Sequence, residues 1–139
     1  MGQNANLLIV WTDLNQTGIP IIDEQHRGIV SIINSFHYVQ ADERGSDFLE
    51  PTANMITEYT KIHFATEADL LEQSDYPDLD NHLKLHHHLI TSSKLFAFES
   101  KKKDDPRVYL NFLKSWWIHH INEEDKKYCP HLLKYLGIM

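Results

Sequence analysis

HFATEADLLEQSDYPDLDNHLKLH, residues 63–86, holds the end of one helix, a turn and the start of the next, with a pair of ligand-type side chains on each side of the turn. Residues four apart lie on one helical face, one turn above each other. His63 with Glu67, and His82 with His86, can therefore each present two groups to one centre. Between the pairs, Pro77 disfavours helical geometry at Tyr76, and Asp78 or Asp80 is suited to cap the helix that follows.

The pattern extends in both directions. A first helix beginning at Asp23, a good N-cap, carries His26, Ile29, Ile33 and Phe36 or His37 on one stripe and ends near Ala41, before the polar loop DERGS. The second starts at Ser46 or Pro51 and runs to about Ser74, with Met55, Ile56, Tyr59, His63, Glu67, Leu70 and Leu71 recurring at three and four. The third spans residues 79–101. Asp104-Asp105-Pro106 then joins an acid cap to a first-turn proline and opens a fourth helix, which runs to about His120 or Ile121 and carries Tyr109, Phe112, Leu113, Trp116 and Trp117. A short segment, residues 125–136, holds Tyr128, Leu132, Leu133 and Leu136, and Pro130 is compatible with a brief helix there.

Strand signals and repeats are lacking. Four long helices joined by short loops imply an all-α, antiparallel up-down-up-down four-helix bundle. The chain is read as one domain, 1–139: an N-terminal arm (1–22) packed through Trp11 and Ile19, the bundle (23–121), and a C-terminal segment with a short helix (122–139).

Composition narrows the function. A net charge of -7 argues against nucleic-acid binding, which needs a basic face. The one basic run, residues 101–103, is followed at once by Asp104 and Asp105 and reads as a solvated helix end. The opening residues have neither a basic n-region nor an apolar stretch long enough for a signal peptide or a membrane span, so a cytoplasmic location is the default. Ten histidines exceed what packing needs, while a single cysteine, Cys129, rules out a thiolate cluster. Any metal site here is built from imidazole and carboxylate.

One helix each contributes His26, the pair His63 and Glu67, the pair His82 and His86, and His120 with Asp125. Five neutral imidazoles and two carboxylates match two irons: the formal sum is roughly one positive charge with two ferrous ions and a hydroxide, and roughly two with two ferric ions and an oxo group. Zinc suits the same donors, but seven converging groups are too many for one ion. His120 and Asp125 are five apart, which a regular helix would separate by about 140 degrees. The fourth helix is therefore expected to end or bend around residues 122–124, so that Asp125 swings back. His37 lies eleven residues, or about 16 Å, from His26 and is out of reach. His87, His88, His119 and His131 are left out of the site, the first three because they face away from their neighbouring ligand-type histidines.

These residues, in this order, resemble the hemerythrin family, specifically its single-domain bacterial members. A first-helix His after Asp-Glu-Gln, then His-x-x-x-Glu, His-x-x-x-His and His-x-x-x-x-Asp, is complete here. Trp11, Gly18-Ile19, Tyr59-Thr60 with His63-Phe64, Tyr76-Pro77 and Asp125-Lys126-Lys127-Tyr128 extend the likeness along nearly the whole chain. The resemblance implies two non-haem irons with an oxo or hydroxo bridge. His82, His86 and His120 would hold one iron, His26 and His63 the other, and Glu67 and Asp125 would bridge them. The second iron would keep an open position for dioxygen, or for azide and other small anions, with Ile29, Phe64, Trp117 and Ile121 as candidate pocket lining. Trp117 stands where the family usually has leucine, which predicts slower ligand access.

The leading expectation is a non-haem di-iron protein that binds dioxygen reversibly for carriage, storage or delivery, and is not an enzyme. An alternative is a di-iron enzyme reducing oxygen, peroxide or nitric oxide. Di-iron oxygenases of the ferritin-like type use paired Glu-x-x-His motifs, and this sequence contains none. A second alternative is an oxygen or redox sensor module. No output domain follows residue 139, which favours the carrier expectation.

Overall fold

The computed structural model describes residues 7–41 and 44–138. Its principal elements are α1 (Pro20–Gln40), α2 (Leu49–Gln73), α3 (Leu79–Lys102) and α4 (Pro106–Trp116). The last continues through a π-helical stretch (Trp117–Glu124) and a 3-10 turn (Asp125–Tyr128) into α5 (Cys129–Tyr135). Each long helix packs on the next and α4 closes on α1. The result is the antiparallel four-helix bundle expected from the sequence, with an N-terminal arm and a short C-terminal helix. No described helix is long and apolar enough to cross a membrane.

Helix starts show where local chemistry overrode the sequence pattern. α1 begins at Pro20 rather than at Asp23, because proline's fixed φ suits the first helical turn. Asp23 sits inside that turn and works backwards, accepting hydrogen bonds from the Thr17 N–H (2.7 Å), the Thr17 hydroxyl (2.8 Å) and the Gly18 N–H (3.2 Å). Gly18 has a φ of 85°, a turn that L-residues seldom adopt. Similarly, α2 starts at Leu49 after a 3-10 turn (Gly45–Phe48), so Pro51 falls in its first turn, where no N–H is needed. Asp105 caps α4 as expected, accepting from the Arg107 N–H at 3.0 Å. Asp78 is the N-cap residue of α3 but makes no side-chain cap bond, because its carboxylate accepts from the Asn81 amide at 2.7 Å.

Helices α2 and α3 end alike. The Tyr76 N–H reaches the Leu71 carbonyl and the Asp105 N–H reaches that of Ser100, at 2.9 and 3.0 Å, around aspartates with φ of 55° and 51°. Aspartate tolerates this left-handed turn better than most residues. The Cβ of any residue replacing Gly28 would collide with the Tyr59 ring, so α1 and α2 approach closely at that level.

Two apolar clusters fill the bundle. The larger contains Ile29, Ile33, Phe36, Ile56, Phe64, Tyr109, Leu113 and Trp117, and the smaller Ile19, Ile22, Leu71, Tyr128 and Leu132. Each such side chain, fully buried, contributes about 1.5–3 kcal/mol. Met55, placed on the inner stripe by its spacing, instead faces solvent beside the buried Ile56. The arm packs over the bundle through Trp11 and Ile19. It is tied down by paired hydrogen bonds between the Ile9 backbone and the Asn34 amide, both 2.8 Å, by Asn15 donating to Asn122 at 2.9 Å, and by Lys126 donating to the Leu14 carbonyl.

Candidate metal centre

Between the two clusters lies a polar layer to which every long helix contributes. His26 stands on α1, His63 and Glu67 on α2, His82 and His86 on α3, His120 on the π-helical continuation of α4, and Asp125 at the start of the 3-10 turn that follows it. All seven are buried, with Glu67 and Asp125 fully excluded from solvent. Their ligand atoms fall into two groups: Glu67, His82, His86, His120 and Asp125, and His26, His63, Glu67 and Asp125. Within each group they lie within 4.8 Å of one another.

The two carboxylates belong to both groups, and each divides its oxygens between them. Glu67 turns Oε1 toward His63 Nε2 (2.8 Å) and His26 Nε2 (3.8 Å), and Oε2 toward His86 (2.9 Å) and His82 (3.0 Å). Asp125 turns Oδ2 toward His26 (3.2 Å) and His63 (3.9 Å), and Oδ1 toward His120 (3.1 Å) and His82 (3.7 Å). This is the arrangement by which a carboxylate spans two cations.

Asp125 comes round where the regular helix gives out: from Trp117 the helix widens into a π-helix that ends at Glu124, and the Asp125 N–H bonds to the His120 carbonyl five residues back. In a π-helix the i→i+5 bond makes residues five apart successive neighbours along one face. The widening thus does for His120 and Asp125 what ordinary α-helix does for residues four apart.

Several groups here are near one another without being paired. His86 Nε2 and His120 Nε2 lie within 2.9 and 3.1 Å of carboxylate oxygens, yet neither has a hydrogen-bond partner, and neither does Asp125 Oδ1. Buried polar atoms are ordinarily satisfied. Lone pairs that converge without meeting are what a metal ion requires, and the donor set of imidazole and carboxylate fits iron. Cys129 takes no part: burial pushes its thiol up to about 12 and its Sγ–H faces the Asp125 carbonyl.

Electrostatics point the same way. Burial works against ionisation of Glu67, but the charge of His63 and the hydrogen bonds from His26, His63 and His82 hold it well below the usual carboxylate range. Burial and the Glu67 charge raise Asp125, yet the His120 and His26 rings outweigh them and hold it at about 2. His63 is lowered by burial and raised more strongly by Glu67 and Asp125, reaching about 9.

Of the pocket residues expected, Phe64 stacks on the His86 ring (centroids 3.7 Å apart, planes within 5°) and stands 5.9 Å from His63 and 5.8 Å from His120. Trp117 stands edge-on to His26 at 6.3 Å. Ile29 and Ile121 are buried in the same apolar cluster. The excluded histidines lie elsewhere: His87, His88 and His119 are exposed, His37 is half-buried toward the opposite end of α1, and His131 bonds the Ser74 carbonyl at 2.7 Å.

Two side chains that touch the centre were not legible as partners in the sequence. The Tyr128 hydroxyl donates to Glu67 Oε1 at 3.0 Å, and the Gln25 amide oxygen lies 2.8 Å from His63 Nδ1. Both lie inside the quoted motifs. Each reaches a residue far away in the chain, and no local spacing signals that.

Comparison with known proteins agrees. The family model described as hemerythrin HHE cation binding domain matches residues 17–132. Bacteriohemerythrin of Stenotrophomonas maltophilia (strain R551-3) is 29% identical over 131 residues, covering 94% of this chain and 85% of that protein. Bacteriohemerythrin of Pseudomonas aeruginosa (strain LESB58) is 32% identical over 121 residues, covering 86% and 78%. The fold matches the crystal structure of a mutant hemerythrin with a TM-score of 0.75 at 24% identity, covering 91% of this chain and 98% of that one.

Proposed function

The chain belongs to the hemerythrin family of non-haem iron, oxygen-binding proteins, and we propose that it binds dioxygen reversibly for carriage, storage or delivery. We assign His82, His86 and His120 to one iron, His26 and His63 to the other, and Glu67 and Asp125 to the bridge. The observation that carries this assignment is the division of each carboxylate's two oxygens between the two histidine sets. The whole chain acts as one unit, since every long helix supplies part of a single polar layer.

When bound, the iron pair supplies the electrons that make oxygen binding reversible. The protein's part is to orient, exclude and hold. Phe64 and Trp117, which stand against the His63 and His26 rings, together with the buried Ile29 and Ile121 would keep water and protons from this side of the layer. Phe64, flat against His86, also fixes the rotation of that ring. Tyr128 donates to Glu67 Oε1 and draws charge from the oxygen facing His26 and His63. The histidine-rich set, without any Glu-x-x-His motif, favours binding over oxidation.

The test is anaerobic reduction of the purified protein, then air, then azide, with iron content and visible spectrum followed together. About two irons per chain, as the two ligand groups require, and an oxygen-dependent charge-transfer band that reverses on deoxygenation are expected. Immediate oxidation without such a band would favour an oxidase or sensor, and a preparation holding only zinc would overturn the assignment.

A further inference from the structure

Gln25 directly precedes His26 in α1, yet its side chain reaches across to α2. Its Oε1 lies 2.8 Å from His63 Nδ1, its Nε2 lies 3.0 Å from Thr66 Oγ1, and the Thr66 hydroxyl donates to the Ile62 carbonyl at 3.0 Å. The last bond decides the sense of the other two. Thr66 has one hydroxyl hydrogen, already committed to Ile62, so it can only accept from Gln25. The Gln25 amide must then point its NH2 at Thr66 and its carbonyl at His63. A carbonyl only accepts, so His63 Nδ1 carries a hydrogen. In the neutral ring the lone pair is left on Nε2, the atom 2.8 Å from Glu67 Oε1 and 3.2 Å from His26 Nε2.

We propose that Gln25 is a positioning residue that locks the His63 tautomer and, being a neutral amide, keeps that ring less basic than a carboxylate partner would, favouring the reduced state of iron on the His26 and His63 side. The inference rests on the ligand assignment above. A carboxylate in this place would draw the Nδ1 hydrogen and enrich the ring, stabilising ferric iron; an amide holds the hydrogen without adding charge. His26 Nδ1 and His120 Nδ1, by contrast, are buried without partners among the described residues. One short stretch of α1 thus supplies a ligand of its own, His26, and the group that orients the second ligand on the same side.

Three variants test this: Gln25→Glu, Gln25→Leu and Thr66→Val. Gln25 and Thr66 are both half-buried at the bundle surface, so the fold should survive each change. In the metal-free protein above pH 9, where the His63 ring is neutral and its one hydrogen reports the tautomer, nitrogen-edited NMR should find an exchange-protected His63 Nδ1–H that disappears in Gln25→Leu and moves downfield in Gln25→Glu. In the iron-loaded protein, Gln25→Glu should have a lower reduction potential and oxidise in air several-fold faster. Gln25→Leu should hold one of its two irons roughly 10- to 100-fold more weakly, and Thr66→Val should fall between it and the parent. Absence of the protected hydrogen from the parent, or a parental potential in Gln25→Glu, would overturn the proposal. A parent that takes up no iron would overturn the di-iron reading and the redox half of the proposal with it, leaving the NMR signal to decide the tautomer alone.

Discussion

The Trp117 indole stands edge-on to the His26 ring, and Trp11 covers its other side at 6.0 Å, itself topped by the Arg27 guanidinium 5.1 Å from the ring centre. Three side chains from two helices and the arm therefore lie in succession outward from His26. An indole fills more space than the leucine usual in the family, and a packed interior yields only by side-chain displacement. Trp117→Leu should accelerate azide binding to the iron-loaded protein several-fold in stopped flow, and an unchanged rate would show that small ligands arrive by another route. The sequence revealed Trp117 as a departure. It could not reveal that residue 11 lies against it, since nothing local links positions 11 and 117.

The π-helical stretch is the element on which the centre depends. The spacing of His120 and Asp125 shows that a regular helix fails, but both an ended helix and a widened one satisfy that spacing. Tertiary packing chose widening: Trp117, His120 and Ile121 remain buried on the inner face while Tyr128 and Leu132 continue into the second cluster. Deleting the exposed Glu123 would leave His120 and Asp125 four apart, the spacing that an ordinary α-helix places on one face. The shortened protein should keep its helical circular dichroism and both of its irons. Loss of half or more of the iron would show that the π-helical geometry itself, and not only the shared face, is needed to seat Asp125. The helix starts teach a related lesson. Acidic residues near a helix start are legible as a group, but whether one caps the turn ahead, as Asp105 does, or the segment behind, as Asp23 does, depends on which N–H groups the fold leaves unpaired.

Over the whole molecule, the polar layer separates two apolar clusters that do not depend on it. Metal-free protein should therefore stay folded, with stability governed by protonation in the layer. His63 has its pKa raised to about 9, so its contribution is fully present below the ordinary histidine value of 6.5 and is lost as pH rises through 9. His26 and His82, also raised, act in the same direction. Asp125 is depressed from 3.8 to about 2, so its contribution is present above 3.8 and lost as pH falls through 2. His86, lowered by burial, adds to the loss on the acid side. Thermal melts of metal-free protein should give a maximum between about pH 4 and 6.5 and a fall of a few kcal/mol in stability toward pH 9. Bound iron takes the place of the ring protons, so the loaded protein should be nearly flat from pH 6.5 to 9. A metal-free protein equally flat there would contradict the charge pairing described for His63.

The sequence by itself determined the bundle and the seven candidate ligands, because both are written in short-range periodicity: apolar residues at three and four, His63 with Glu67, His82 with His86, and an acid-proline start at residue 105. Turn chemistry at Pro77 and Asp105 set where three of the helices meet. The tertiary structure alone decided how Asp125 comes round, which oxygen of each carboxylate faces which histidines, that Tyr128 holds Glu67, and that Gln25 holds His63. Those features join residues tens of positions apart, and their geometry exists only once packing has fixed the distance and rotation between helices.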